Sequence, residues 1–146
     1  VDTLRDVRTE DWDICQGIAR SHGRSFFLAS RMLGADRRQS ILAAYAYCRL
    51  ADDIVDRADG NGGLAAERLE AWEDELDRPI HPVAVAFAHA RIRYGIPDRP
   101  IRELFDGMRA DLFVNRYASW PELRGYCHQV AGTVGLIVAP ILGCSP

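Results

Sequence analysis

The stretch YAYCRLADDIVDRADG, from Tyr45 to Gly60, sets Asp52, Asp53 and Asp56 within a turn and a half of helix, with Asp59 just beyond. Carboxylates four residues apart on a helix repel each other, at a cost of roughly 0.2–0.5 kcal/mol per pair. They also gather toward the C-terminal end of the segment, where the helix macrodipole disfavours anions. At 3.6 residues per turn, Tyr45, Arg49, Asp52 and Asp56 fall on one stripe, with Asp53 beside it. The other faces carry Ala44, Ala46, Leu50, Ala51, Ile54 and Val55. Two chemistries fit. One is a solvated acidic face at a helix end. The other is a site for a hard divalent cation, since Mg²⁺ is typically held by one or two carboxylates together with substrate phosphates. An arginine one turn back and apolar flanks on both sides suit a Mg²⁺–diphosphate unit. On this stretch alone both readings stand.

The elements that must position these side chains read as helices throughout, with no strand pattern. EDWDICQGIARSHG places Trp12, Ile14, Cys15, Ile18 and Ala19 on one face, and Gly23 can end it. RSFFLASRML forms a second short helix ended by Gly34. Asp36 is the expected N-cap of the next, which carries Ile41, Leu42, Ala44, Tyr45 and Cys48 and stops near the loop DGNGG. LAAERLEAWEDELD reads as an outer amphipathic helix. VAVAFAHARIRYG starts after Pro79 and Pro82 and stops at Gly95. PDRPIRELFDGMRADL follows, with Asp98 as the expected cap and Pro100 near its first turn. Ser119 caps WPELRGYCHQVAGTVGLIVAPILG, with Pro121 in the first turn and Glu122 at the capping-box position.

The 146 residues suffice for one domain with a real core. A net charge of −3 implies no general affinity for nucleic acid. All 18 cations are arginine, which reflects codon bias and carries no mechanism. Cys15, Cys48, Cys127 and Cys144 form no C-x-x-C pair and read as free, mostly buried thiols in a reducing compartment. The first twenty residues are acidic and polar, so no signal peptide is expected and the location reads as cytoplasmic. The longest apolar run, VAGTVGLIVAPILGC, is interrupted by Gly and Pro and falls short of a membrane span, so a buried core helix is expected there.

SHGRSFFLASRML, AYAYCRLADDIVD, FDGMRADL and LRGYCHQVAGTVGLIVAPILG, in that order and spacing, resemble the squalene and phytoene synthases, head-to-head prenyl transferases. The resemblance runs from about Cys15 to Gly143. DDIVD also fits chain-elongating prenyl synthases and terpene cyclases; YAYCRLA and VAGTVG favour the head-to-head family. The resemblance implies an all-α fold, an isoprenoid synthase-type helical bundle around a central apolar cavity, of which residues 1–146 form the N-terminal part. It implies that two prenyl diphosphates are joined through a cyclopropyl diphosphate that then rearranges. Asp52 and Asp56, with Asp53 between them, take the place of the family's Mg²⁺ ligands, with Mn²⁺ as a substitute ion. Tyr45 and Arg49 join Asp52 and Asp56 as the catalytic set. His22, Arg24 and Ser25 map onto diphosphate contacts, and Phe26 onto a cavity aromatic. Tyr126, Val130 and Gly135 fall where the family lines its cavity, while Gly132 and Ala131 thin the helix wall.

The departures matter equally. The family's second aspartate-rich motif lies on a helix after VAGTVG, and no second D-x-x-x-D on an apolar helix occurs here. The chain is therefore expected to hold half of the metal site, to be inactive alone, and to rely on further residues or a second chain for the rest. The helix from Glu122 to Gly143 is apolar on nearly all sides and expects neighbours on more than one. The leading reading is conversion of two geranylgeranyl diphosphates to phytoene. The alternatives are squalene or dehydrosqualene synthesis from farnesyl diphosphate, and a non-catalytic helical scaffold of the same fold; retention of Tyr45, Arg49, Asp52 and Asp56 speaks against the scaffold. NADPH use, which separates squalene from its dehydro relative, has no signature in these residues. Greasy substrates and products suit peripheral membrane contact, with no anchor visible in the sequence.

Overall fold

In the computed structural model, which describes residues 4–144, every regular element among the described residues is helical. In chain order these are α1 (Thr9–His22), α2 (Arg24–Ser30), α3 (Ala35–Asp56), α4 (Gly62–Asp74), α5 (Pro82–Tyr94), α6 (Asp98–Asp111), α7 (Trp120–Cys127), a π-helical turn (His128–Gly132) and α8 (Thr133–Leu142). The all-α expectation holds.

The 22-residue α3 is the axis of the bundle, packed against α1, α5, α4, α8 and α6. Its N-terminal half is apolar on several faces because neighbours cover it on several sides: Ile41, Leu42, Ala43, Ala44, Ala46 and Tyr47 are all buried. Tyr47 is the central anchor. Its ring stacks on Trp72 of α4 at 4.9 Å and on Phe87 of α5 at 4.7 Å. Its hydroxyl donates to the Trp72 carbonyl at 3.0 Å, and the Trp72 indole N–H donates back to the Tyr47 carbonyl at 3.1 Å. The buried tyrosine and tryptophan thus each donate to the other's own backbone carbonyl while contributing large apolar area.

The start of α1 is fixed by a buried acid. Asp11, 1% exposed, accepts two hydrogen bonds from the Arg5 guanidinium, at 2.7 and 2.9 Å, and one from the Arg8 backbone N–H at 2.8 Å. This is the N3 half of a capping box, reinforced by a bidentate ion pair. The Arg5 hydrogen bonds hold the Asp11 carboxyl below the usual carboxylate range, against the opposing effect of burial. Helix α5 starts at Pro82, with the His81 ring accepting from Val83 N–H at 3.2 Å, and stops at Gly95, whose φ of 61° is the left-handed conformation glycine adopts freely. At α7, the Ser119 hydroxyl accepts from Glu122 N–H, and the Glu122 carboxylate accepts from Ala118 N–H rather than from the cap residue itself.

Several expectations are corrected. Helix α2 ends at Ser30, short of Gly34, and Gly34 rather than Asp36 precedes the first residue of α3. Pro97 occupies the N-cap position of α6 and Asp98 is its first residue. Cys15 is buried and Cys48 nearly so, but Cys127 and Cys144 are exposed; all four are free. The largest correction concerns the apolar C-terminal segment. Trp120–Leu142 forms one 23-residue rod, long and apolar enough by length and composition to cross a membrane, and only 17% of its most apolar window is buried. It lies against α6 and α3 along one side instead of being enclosed. The π-helical turn in mid-rod occurs where Gly107 of α6 lets the two backbones approach: a β-carbon there would stand 2.8 Å from Gln129 Cβ and 2.9 Å from Val130 Cγ1. Thr133, fully buried, donates its hydroxyl to the Gln129 carbonyl at 2.5 Å, inside the widened turn.

Candidate functional site

Three helices space their side chains four residues apart toward a common centre: Ala44, Cys48 and Asp52 on α3, Leu104 and Met108 on α6, and Val130, Val134 and Val138 along the C-terminal rod. Together with Phe26, Tyr45, Arg49 and Ile137 they line a cavity of about 230 Å³. The lining is apolar except at one end, where Tyr45, Arg49 and Asp52 stand. The α3 residues follow from the helical period, which returns the same face every four residues with a slow drift.

At the polar end Arg49 is a hub. Its guanidinium lies 3.3 Å from Asp52, 2.5 Å from Asp53 and 3.8 Å from Asp56. Asp53 is the least exposed of the three and is held on its other oxygen by Arg57 at 3.5 Å. Both of its oxygens are thus occupied by arginine. Asp52 and Asp56 are more than half exposed at their side chains. Partial burial raises the Asp52 carboxyl above its usual range, helped by repulsion from Asp56, Asp53 and Asp111 and opposed by Arg49. The neighbouring carboxylates therefore still act on Asp52 with Arg49 in place, beside the larger effect of burial. The Arg49 Nε is buried and has no partner. Such an orphaned donor beside an acidic cluster is what a site for a further charged group leaves behind.

Tyr45 forms the wall next to this cluster. Its ring stacks on Phe26 at 5.0 Å, and burial pushes its phenol above the usual range. It can lie there only because residue 23 is glycine: a β-carbon on Gly23 would stand 2.6 Å from the Tyr45 ring and hydroxyl. The His22–Gly23–Arg24 turn between α1 and α2 therefore rests directly over Tyr45. His22, Arg24 and Ser25 are exposed on this rim, and the His22 Nδ1 lies 3.2 Å from the Ile18 carbonyl.

The structure thus brings Phe26, Tyr45, Arg49, Asp52 and Val130 into one cavity and keeps Asp53 and Asp56 on its edge. Tyr126 and Gly135 are not brought into it. Tyr126 faces a second hollow, stacked on Tyr117 at 4.9 Å, where Asp111 and burial together push its phenol well up. Gly135 is exposed, and a β-carbon there would meet nothing within 4 Å. Sequence reasoning missed Ala44, Cys48, Leu104, Met108, Val134, Ile137 and Val138 as lining residues. The repeated i,i+4 spacing on each helix was the signal that could have found them.

Among the described residues no group of three or more His, Cys, Asp or Glu side chains could hold a metal ion unaided. Two accessible carboxylates one turn apart match the partial ligand set of a Mg²⁺ ion that takes its remaining oxygens from phosphate and water. The two carboxylates and the repulsion at Asp52 fit such an ion, and the unpartnered Arg49 Nε–H fits an oxygen of an anion beside it.

The family model for squalene/phytoene synthase matches residues 19–146. Phytoene synthase 3, chloroplastic, of Zea mays is 36% identical over 137 residues, covering 90% of this chain and 32% of its own length. Phytoene synthase of Arthrospira platensis is 34% identical over 146 residues, covering 94% and 46%. A crystal structure of a dehydrosqualene synthase in complex with ligand superposes with a TM-score of 0.81 at 30% identity, over 90% of this chain and 47% of that one. The chain spans less than half the length of these relatives.

Proposed function

The chain belongs to the squalene/phytoene synthase family, and on that premise we propose that it serves the head-to-head condensation of two prenyl diphosphates, with geranylgeranyl diphosphate as substrate and phytoene as product. The observation that carries the reading is the cavity itself: an apolar hollow whose one polar end holds Tyr45, Arg49 and Asp52. An amphiphile with a diphosphate head and a hydrocarbon tail matches that division. The likeness to the phytoene synthases of Zea mays and Arthrospira platensis supports phytoene as the product.

Asp52 and Asp56 would hold Mg²⁺ against the diphosphate, and the ion supplies charge neutralisation to the departing group. Arg49, already anchored by Asp53, offers its guanidinium as a fixed positive charge on the same group. Holding donors in place before the reaction lowers the cost of developing charge, because nothing must reorganise as it forms. The apolar walls exclude water that would otherwise capture an allylic cation. The stacked faces of Phe26 and Tyr45 present negative quadrupole to positive charge passing along the tail. Arg49 and Arg57 both pair with Asp53, which gives it the part of orienting Arg49 while Asp52 and Asp56 would face the ion.

Binding of a non-hydrolysable geranylgeranyl thiolodiphosphate, with and without Mg²⁺, tests this reading. Mg²⁺-dependent binding is expected for the natural chain, and Asp52→Asn is expected to weaken it only when Mg²⁺ is present. Equal weakening with and without the ion would remove the metal role from Asp52. Condensation from farnesyl diphosphate is the second reading, favoured by the likeness to dehydrosqualene synthase. Product analysis with each substrate, on the chain completed by the residues or partner that supply the second acidic motif, separates the two.

A further inference from the structure

We propose that the outer face of α2 docks the protein on the anionic leaflet of a lipid bilayer. Charge is segregated in this part of the chain. From Ile14 to Ala51 the sole acid is Asp36, against Arg20, Arg24, Arg31, Arg37, Arg38 and Arg49. Asp36 is paired with Arg93 of α5, and Arg49 belongs to the acidic cluster of the cavity. Arg20, Arg24, Arg31 and Arg37 are exposed and, among the described residues, make no ion pair. In a chain of net charge −3 this leaves a positive region opposed to the overall sign.

Apolar side chains stand out among these cations. Helix α2 packs on α1 and α3. Its inner side carries Phe26, in the cavity wall, and the buried Ser30. Phe27 is half-buried under the Arg38 guanidinium, which lies 5.2 Å from its ring centroid. Outward stand Arg24, Leu28 and Arg31, spaced i, i+4 and i+7 on one stripe, with Met32 beside Arg31. Leu28 is 63% exposed and Met32 90%. One exposed leucine is ordinary. Two long apolar side chains among unpaired arginines form the pattern of a helix lying in a membrane interface, with the apolar groups at the acyl boundary and the guanidiniums at anionic headgroups. A nucleic acid would engage the arginines and leave Leu28 and Met32 in water. The rod Trp120–Leu142 is the larger apolar surface, but its Glu122 and Arg124 cancel, so it has no reason to prefer anionic lipid. Docking through α2 sets the wall that holds Phe26 between the lipid and the cavity. That suits a greasy ligand, yet the surface stands whatever the cavity takes.

The experiment is co-sedimentation of the chain with vesicles of phosphatidylcholine alone and of phosphatidylcholine mixed with phosphatidylglycerol, at low and at high salt. Binding to the mixed vesicles at low salt is expected, with little to the neutral ones and a steep loss as salt screens the headgroups. Arg31→Gln is expected to weaken it about fivefold, the worth of one basic residue at an anionic surface. Leu28→Ser with Met32→Ser is expected to weaken it about tenfold or more. All three residues are exposed, so the melting temperature should stay that of the natural chain. None of them lines the cavity, so Mg²⁺-dependent binding of geranylgeranyl thiolodiphosphate should also be unchanged. Leu142→Ser, on the rod, should leave vesicle binding as it is. Equal binding to both vesicle types, weakened by Leu142→Ser and not by the α2 variants, would assign lipid contact to the rod and overturn the proposal. No binding to the mixed vesicles would overturn it outright. Binding of polyglutamate as tight as that of the mixed vesicles, lost in Arg31→Gln and indifferent to Leu28→Ser with Met32→Ser, would replace the membrane with an acidic protein partner.

Discussion

Asp11 and Asp52 are both aspartates on helices, yet their surroundings push them in opposite directions. Asp11 is lowered by its hydrogen bonds from Arg5, and Asp52 is raised by burial and by neighbouring carboxylates. The consequences for stability have opposite signs. Asp11 contributes stability that is present above its unfolded value of 3.8 and is lost as pH falls through its lower folded value. Asp52 has its most favourable contribution below 3.8 and loses it as pH rises through its higher folded value. Asp11→Ala is therefore expected to cost about 2 kcal/mol at neutral pH, the scale of hydrogen bonds to a charged group, and to flatten the acid limb of a denaturation series. Asp52→Asn is expected to stabilise the metal-free chain by a few tenths of a kcal/mol at neutral pH, since it removes a like-charge pair one turn apart. Urea denaturation across pH 3 to 7, scanned at roughly one-unit steps, checks both. Stabilisation by Asp52→Asn together with loss of Mg²⁺-dependent ligand binding marks a residue kept for function at the expense of the fold. A loss of stability in that variant would mean that the Arg49 contact outweighs the repulsion.

At the scale of the element, the acidic stripe was legible because the helical period is enforced by the backbone alone. Tyr45, Arg49 and Asp52 indeed share a face at the polar end of the cavity. The helices themselves were legible for the same reason, down to the stop at Gly95. Their ends were less so where side chains compete for the same orphaned N–H groups: the sequence offers Asp36 and Asp98 as caps, and the chain places each inside its helix. What could not be read was the meeting of distant elements. Nothing local to SHGRSF says that residue 23 must lack a β-carbon for Tyr45 to reach Phe26. Nothing local to FDGMRADL says that Gly107 is where the rod widens into a π-turn. Gly107→Ala tests that contact. The added methyl must displace Gln129 or Val130, and overpacking of this kind costs about 1–3 kcal/mol. Because Val130 lines the cavity, ligand affinity is expected to fall along with the melting temperature. Gly23→Ala is expected to reduce ligand binding through Tyr45 with a smaller effect on stability, because only a ring at a half-buried site must move. If Gly23→Ala binds as the natural chain does, the Tyr45 position is not needed for the ligand.

Taken together, the described residues are asymmetric in their burial. One side is a conventional core centred on Tyr47, Phe87 and Phe105, and the other presents the rod Trp120–Leu142, apolar and largely uncovered. The apolar composition of this segment was read as a buried helix. Composition reports how apolar a helix is and says nothing of how many neighbours it has. The cavity lies between the two sides, with α3 and α6 from the covered side and the rod from the open one, so one of its walls is held on a single face. Ligand binding should therefore do more than fill space: it should pin the rod to the bundle. A ligand that binds only the folded chain stabilises it by RT ln(1 + [L]/Kd), about 2.7 kcal/mol at a hundredfold excess over Kd. Geranylgeranyl thiolodiphosphate with Mg²⁺ is expected to raise the melting temperature by that mechanism and to slow amide hydrogen exchange in residues 128–142 more than in α5. Inorganic diphosphate with Mg²⁺ engages only the polar end, so it should raise the melting temperature less and leave exchange in the rod unchanged. Equal protection of the rod by both ligands would mean that the tail does not run along Val130, Val134 and Ile137, and the cavity would have to be assigned to something other than the prenyl chain.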